Sequence, residues 1–374
     1  MKYDIQHIAD RIGSKAYLTD GTTVIKHILT DSRSLMHPEG TLFFALRTQT
    51  GDGHRYLKSL YDAGVRNFVV SDTTGITQEM MPEANVIVSD DTLEAMRRLA
   101  TMCREDSRAT VIAITGSRGK TTVKEWLAHA LESAGPLARS PRSYNSQTGV
   151  PLSLWGLEKE TRYAIIEAGI SQPGEMTLLE KEIRPEIGIF TNIGAPHSRG
   201  FESIEQKCRE KALLMKGCRS VVFSADNELI SASLPAGPER MGWTLRGASN
   251  AALSASIASR DINGTVIEYT YRPTERTGAV TIPFTSDRDI ENAMHTLTTL
   301  LLLDMSEESI INAMASLRPV VTRLEVADAV GDCQLIHDRF TGDMTSLATA
   351  LDFARRRLTP GHMLTVITGD PEGQ

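Results

Sequence analysis

The sequence predicts an α/β protein built on a mostly parallel sheet, and three observations carry that expectation. A β-branched run, Thr110-Val-Ile-Ala-Ile114, is followed by a glycine-rich turn. An apolar helical stripe then comes through Val123, Trp126, Leu127, Ala130, Leu131 and Ala134. Further short apolar runs, Tyr163-Ala-Ile-Ile166 and Ile187-Gly-Ile-Phe190, alternate with helical spacing, the pattern of a sheet covered on both faces.

In chain order, Thr41–Leu46, Phe68–Val70 and Val86–Val88 read as strands of a first segment. Tyr56, Leu57, Leu60, Tyr61 and Gly64 recur at helical spacing between two of them, and a polar helix with Ala95, Leu99 and Met102 closes the segment near Arg108. The α/β middle follows. From Ser231 to Phe284 the sequence alternates and turns, and Asn263-Gly264 before Val266–Tyr271 predicts a hairpin in an antiparallel extension. Helices over Asp289–Leu303 and Glu307–Ser316 lead to Arg318-Pro319. Beyond lie strands at Leu324–Val326, Gln334–Ile336 and Met363–Ile367 and a helix over Ser346–Arg357, too little for an independent open α/β domain. The expected domains are therefore 1–108, 109–317 and 318–374, the last the start of an incomplete module.

The composition excludes some functions. With 374 residues and a formal charge of −7, there is no basic excess to neutralise a nucleic-acid backbone or an anionic membrane. The longest apolar run, Leu300–Leu303, is far below a membrane span, and no apolar stretch follows the first lysine. A cytoplasmic protein is expected. Cys103, Cys208, Cys218 and Cys333 are too few and scattered for a disulfide framework, so reduced thiols are expected.

Chemistry concentrates in a few loops. Gly116-Ser117-Arg118-Gly119-Lys120-Thr121, between strand and helix, would cradle phosphate oxygens with backbone N–H groups and the helix N-terminus. Lys120 would meet the β- and γ-phosphates and Thr121 would offer its hydroxyl to Mg²⁺, in a shortened variant of the P-loop pattern. Glu167 ends one strand and His197 follows another, at the sheet edge where open parallel sheets bind ligands; the carboxylate would face the nucleotide's metal. Lys211 lies beside the apolar stripe of Ile204, Cys208, Ala212 and Met215. Two readings stand for it: a snorkelling lysine, or a buried neutral amine that reacts with CO₂ to form a carbamate, an anionic metal ligand. Ser143-Tyr-Asn145-Ser146-Gln147-Thr148-Gly-Val-Pro151 reads as a polar loop able to hold a polar substrate, and Thr30-Asp-Ser-Arg33 and Gly51-Asp-Gly-His54 are turns with a cation each.

Taken together, Asp31-Ser-Arg33, Thr41–Leu46 with Asp52-Gly-His54, Thr115–Thr122, Tyr144–Pro151, Ile166-Glu-Ala-Gly169, Asn192–Phe201 and Glu291-Asn-Ala293 resemble the Mur ligases, ATP-dependent amide-forming enzymes of peptidoglycan precursor synthesis. The resemblance runs from the N-terminus to the last residue. It implies a UDP-sugar module, a central P-loop ATPase module and a C-terminal Rossmann-like module that closes over the nucleotide. Within the family it runs to the activity that joins D-alanyl-D-alanine to UDP-N-acetylmuramoyl-tripeptide, in the version fused in some bacteria to a C-terminal alanine racemase. By that resemblance Gly116 to Thr122, with Lys120, Thr121 and Thr122 prominent, would take ATP. Thr121, Glu167, His197 and a carbamylated Lys211 would serve Mg²⁺. Asn145 and its neighbours Ser146, Gln147 and Thr148 would face the muramoyl-peptide, Ser32 and Arg33 the uridine, Asn292 the adenine, and Asp338 the ribose side.

Three positions depart from the family pattern. Arg118 stands where Asn or Ser is usual, and Arg199 stands near a usual acidic residue. In the third-domain motif, His337-Asp-Arg-Phe-Thr-Gly-Asp-Met344, only Asp338 is retained. Two rival readings follow: a ligase part that binds nucleotide or UDP-sugar without forming the amide, and a folylpolyglutamate-type ligase, against which the Asp-Ser-Arg turn argues.

Overall fold

The computed structural model describes residues 3–13, 15–48, 51–194 and 200–320, and two further strands, Leu324–Asp328 and Gln334–Asp338. The chain divides after Arg318 into two units. In the second, the two strands pair antiparallel, with Leu324 opposite Asp338. The helix expected over 346–357 and the strand expected over 363–367 lie outside the described residues, as does Cys333.

The first unit contains two large sheets. The N-terminal one has five strands in the order Lys15–Tyr17, Asn85–Val88, Asn67–Val70, Thr41–Phe44 and His27–Leu29, parallel except at the first pairing. Successive side chains alternate between its faces. Leu42 and Phe44 enter one core with Val69, Ile87 and the Thr92–Asp106 helix, while Phe43 enters a second with Leu57, Phe68 and Val86. Asp91 caps that helix by accepting from the amides of Leu93 and Glu94, which fixes its start at Thr92. It packs against the helices Gly149–Trp155 and Glu175–Ile183, joining the two sheets' layers.

The larger sheet has nine strands: Leu137–Arg139, Tyr163–Glu167, Thr110–Thr115, Ile187–Phe190, Ser220–Ser224, Glu239–Thr244, Leu253–Asp261, Gly264–Tyr271 and Arg276–Ile282. The first seven run parallel, and the last two add to the seventh as an antiparallel extension. Crossovers from Thr110–Thr115 go first to one side and later to the other, so this strand is the topological switch point where open sheets bind ligands. The hairpin expected at Asn263-Gly264 forms one residue earlier than the dipeptide implied. Ile262 and Asn263 make the loop, and Gly264 already pairs with Asp261 at φ +136°, its Cα facing the Ile282 carbonyl.

The helix Asp287–Leu302 carries Thr296, Thr298 and Thr299 into the core, each hydroxyl donating to the carbonyl four residues back. That back-bonding removes the cost of burying them. No helix among the described residues is long and apolar enough to cross a membrane.

Candidate functional site

The phosphate loop folds as its glycines require. Gly116 has φ +142° and a Cβ there would stand 2.0 Å from Thr191 Oγ1; Gly119 has φ +80° and a Cβ would meet Asn292 Oδ1 at 2.2 Å. Any larger residue is therefore excluded twice over, by backbone and by space. The helix Lys120–Leu131 starts without a side-chain cap, so the amides of its first turn point along the axis toward the loop. Lys120 Nζ donates to the Gly116 carbonyl at 3.0 Å.

One expectation is corrected here. The amides of Ser117 and Arg118 do not face the cradle: they donate to the backbone oxygen and Oδ1 of Asn192, both at 2.9 Å. Asn192 follows the neighbouring strand, and Thr191 Oγ1 also donates to the Arg118 carbonyl at 2.6 Å, so that strand end braces the loop from outside. The helix first turn and Lys120 are left as the candidates to meet a phosphate. Arg118 itself is exposed.

The crevice beside the loop has a volume of about 470 Å³ and brings together Gly116, Ser117 and Lys120 with Asn145, Ser146, Gln147 and Thr148. Gly169 to Ser171, Glu175, Lys207 and Lys211 complete its lining. Glu175 holds one wall by accepting from the Ser171 and Gln172 amides at 2.6 and 3.2 Å. Arg97 reaches in from the N-terminal layer and donates to Gln147 Oε1 at 2.8 Å, and Gln147 Nε2 donates to the Glu175 carbonyl at 3.2 Å.

Glu167 is not among the residues lining the crevice. It is fully buried behind Asn145, whose Nδ2 donates to Oε2 at 3.3 Å, and Lys124 Nζ stands 3.2 Å from Oε1 without hydrogen-bond alignment. Lys124, also fully buried, spends its donors on the carbonyls of Ser140, at 2.8 Å, and Arg142. The ammonium neutralises the carboxylate where neither meets water, a pairing whose loss on either side would strand a charge.

Lys211 is buried, and desolvation first, then repulsion from Lys120 and Lys207, lowers its pKa to about 7. This favours the neutral-amine reading over the snorkelling one, since the ammonium head does not reach bulk water.

Ser32 and Arg33 lie in a short 3-10 turn on the N-terminal layer, Arg33 exposed and bidentate on its own Asp31. Asn292 sits against Gly119 with a buried Nδ2 that has no hydrogen-bond partner. His197 and Arg199 lie outside the described residues, and Asp338 is described as a strand residue only.

The donor set fits a phosphate-bound cation in part. Thr121 Oγ1 stands 3.4 Å from Ser143 Oγ, and Glu167 Oε1 is a buried carboxylate oxygen with no hydrogen-bond partner. Among the described residues no three His, Cys, Asp or Glu side chains gather. Few protein ligands are what Mg²⁺ needs when phosphates and waters supply the rest.

Sequence reasoning missed Lys124, Asn192, Lys207 and His295. Two carried a signal: Lys124 and Lys207 stand four residues from Lys120 and Lys211, one helical turn on the same face.

A strand, a glycine loop and a helix N-terminus at the switch point of a parallel sheet define a nucleotide-binding α/β protein. The family model of the Mur ligase middle domain matches residues 114–300. The chain belongs to the Mur ligase family, ATP-dependent amide-forming ligases. It is 25% identical over 383 residues to the UDP-N-acetylmuramoyl-tripeptide--D-alanyl-D-alanine ligase of Bacillus subtilis, covering 100% of this chain and 80% of the relative. A crystal structure of MurF from Acinetobacter baumannii superposes with a TM-score of 0.76 at 24% identity, over 93% of this chain and 75% of the other. MurF of Thermotoga maritima in complex with ADP gives 0.70 at 19%, over 87% and 74%.

Proposed function

We propose that this chain is the ligase that joins D-alanyl-D-alanine to UDP-N-acetylmuramoyl-tripeptide at the expense of ATP. The observation that carries the reading is the crevice itself. It sets Lys120 and the helix first turn beside a polar loop, Asn145–Thr148, so a phosphate donor and a polar acid would share one cleft.

The substrate carboxylate oxygen attacks the γ-phosphorus; the bond to the bridging oxygen of ADP breaks, leaving an acyl phosphate and ADP. The dipeptide amine attacks the acyl carbon, the carbon–oxygen bond to phosphate breaks, and the amine nitrogen gives up its proton as inorganic phosphate leaves. No protein nucleophile is needed. Lys120 offsets the charge on the transferring phosphoryl group, and Asn145, Ser146, Gln147 and Thr148 orient the acid. Mg²⁺, when bound beside Thr121, supplies further charge neutralisation of the phosphate oxygens. Glu167, His197 and a carbamate on Lys211 would hold that cation and supply it with negative charge. Ser32 and Arg33 take the uridine end, Asn292, with its unpaired Nδ2, the adenine, and Asp338 the ribose side, in modules bounded near residues 108 and 318.

A second reading, nucleotide or UDP-sugar binding without amide formation, draws on the commitment of Glu167 to Lys124. An acceptor panel separates the two. Mass spectrometry after incubation with MgATP, UDP-muramoyl-tripeptide and either D-alanyl-D-alanine, glutamate or diaminopimelate should find product with the dipeptide alone. Product with glutamate instead would refute the assignment.

A further inference from the structure

Lys207 has no role in the reading above. It lies on the helix Ile204–Ala212, which Ser203 caps through the Gln206 amide, and it is one turn before Lys211 on the same face. Only 9% of the residue is exposed, yet it lines the crevice, and among the described residues its ammonium has no hydrogen-bond or ion-pair partner. A lysine whose stem is enclosed and whose head opens into a polar crevice presents its charge to an anion there.

Two observations say which anion. Lys207 stands three residues before Glu210 on the helix Ile204–Ala212, so the two side chains share a face. On that face the same helix grips the substrate wall: Glu210 Oε1 accepts from the amides of Gly174 and Met176 at 2.8 and 3.1 Å. The nucleotide phosphates have Lys120; the group that reaches Lys207 comes from the polar-loop side.

We propose that Lys207 holds the carboxylate of the acid substrate, a specificity-determining contact separate from the nucleotide's. This rests on the ligase reading above. A lysine here offers the acid a compact charge before the carboxylate becomes an acyl phosphate, and keeps that oxygen directed at the cradle.

The test compares Lys207→Met, which keeps the apolar stem, with Lys207→Arg. Lys207→Met keeps the apolar stem packed and should leave the thermal midpoint near that of wild type, which separates folding from function. Expected is a rise of about tenfold or more in KM for UDP-muramoyl-tripeptide, no change in KM for MgATP, and substantial recovery in Lys207→Arg. Calorimetric binding of UDP-muramoyl-tripeptide, read without turnover, should weaken by the same factor. A rise confined to the KM for MgATP would overturn the proposal, and so would lost activity that follows bicarbonate concentration at unchanged KM for the acid. Wild-type protein that binds UDP-muramoyl-tripeptide without turnover sinks the ligase reading while the binding comparison still decides for or against Lys207. Protein that does not bind it at all overturns both.

Discussion

His295 Nε2 lies 2.8 Å from the carbonyl oxygen of Thr191, and this bond ties the Asp287–Leu302 helix to the strand end that braces the phosphate loop. Trp243 Nε1 donates to Nδ1 at 3.1 Å, so Nδ1 carries no proton and Nε2 is the donor toward Thr191. Both ring nitrogens are spent on fixed partners. A proton added to Nδ1 would face the indole N–H.

The fully buried ring is accordingly held neutral, its pKa lowered to about 4, chiefly by desolvation. The unfolded chain takes up that proton near its ordinary value of about 6.5. Stability from His295 is therefore complete above that value and is lost as the pH falls toward 4, on the order of 3 kcal/mol in all. Urea midpoints measured from pH 7 to 4.5 should fall more steeply in wild type than in His295→Gln. Equal slopes would refute the account of the ring.

Gly119→Ala should abolish nucleotide binding and destabilise the fold by roughly 1–3 kcal/mol, since the new Cβ combines a left-handed φ with a clash against Asn292 Oδ1. Adding Asn292→Ala removes the clash but not the backbone strain. The double variant should regain part of the stability, as a thermal melt would read, and a fully additive loss would show that the two residues are not in contact.

Lys211→Met should separate stability from activity. The lysine is held near a pKa of about 7 by burial and two like charges, so an apolar side chain should raise the melting temperature of the ligand-free protein while substrate-dependent ATP turnover collapses. Carbon-13 bicarbonate NMR gives a second readout: a carbamate carbon signal expected in wild type and missing from the variant. A signal that persists in Lys211→Met would place the carbamate elsewhere.

Lys120→Ala should lower kcat for substrate-dependent phosphate release by roughly 10²–10³ fold, the usual cost of removing one preorganised charge from a transferring group. Lys120→Arg should not restore it, because a planar fork cannot replace a point charge between loop and phosphate. Unchanged turnover in Lys120→Ala would remove the phosphate loop from the chemistry.

Much of this was legible in the chain. The strand Thr110–Thr115, its glycine turn and the following helix show local periods that no distant contact had to supply, and the crevice-lining loop Asn145–Thr148 was visible as polar sequence between apolar elements. Leu137–Arg139 was not, being three residues long with no period to read. His295 looked like one polar residue in a threonine-rich helix, and its meaning comes from Trp243, fifty-two positions earlier, which only the folded sheet brings near. Glu167 was found at the right strand end, yet its pairing with Lys124 depends on a helix packing across that strand. Lys207 borders the apolar stripe through Cys208 and Ala212, and only its four-residue spacing from Lys211 marks it in the sequence.

The central claim is that one crevice couples phosphoryl transfer from ATP to amide formation on a muramoyl-peptide acid. Phosphate release from MgATP, measured in bicarbonate buffer with UDP-muramoyl-tripeptide and D-alanyl-D-alanine added singly and together, tests it most directly. The account predicts release that requires both and matches, mole for mole, the UDP-muramoyl-pentapeptide identified by mass spectrometry. Release that proceeds equally with neither substrate, or binding of both with no release, would contradict it.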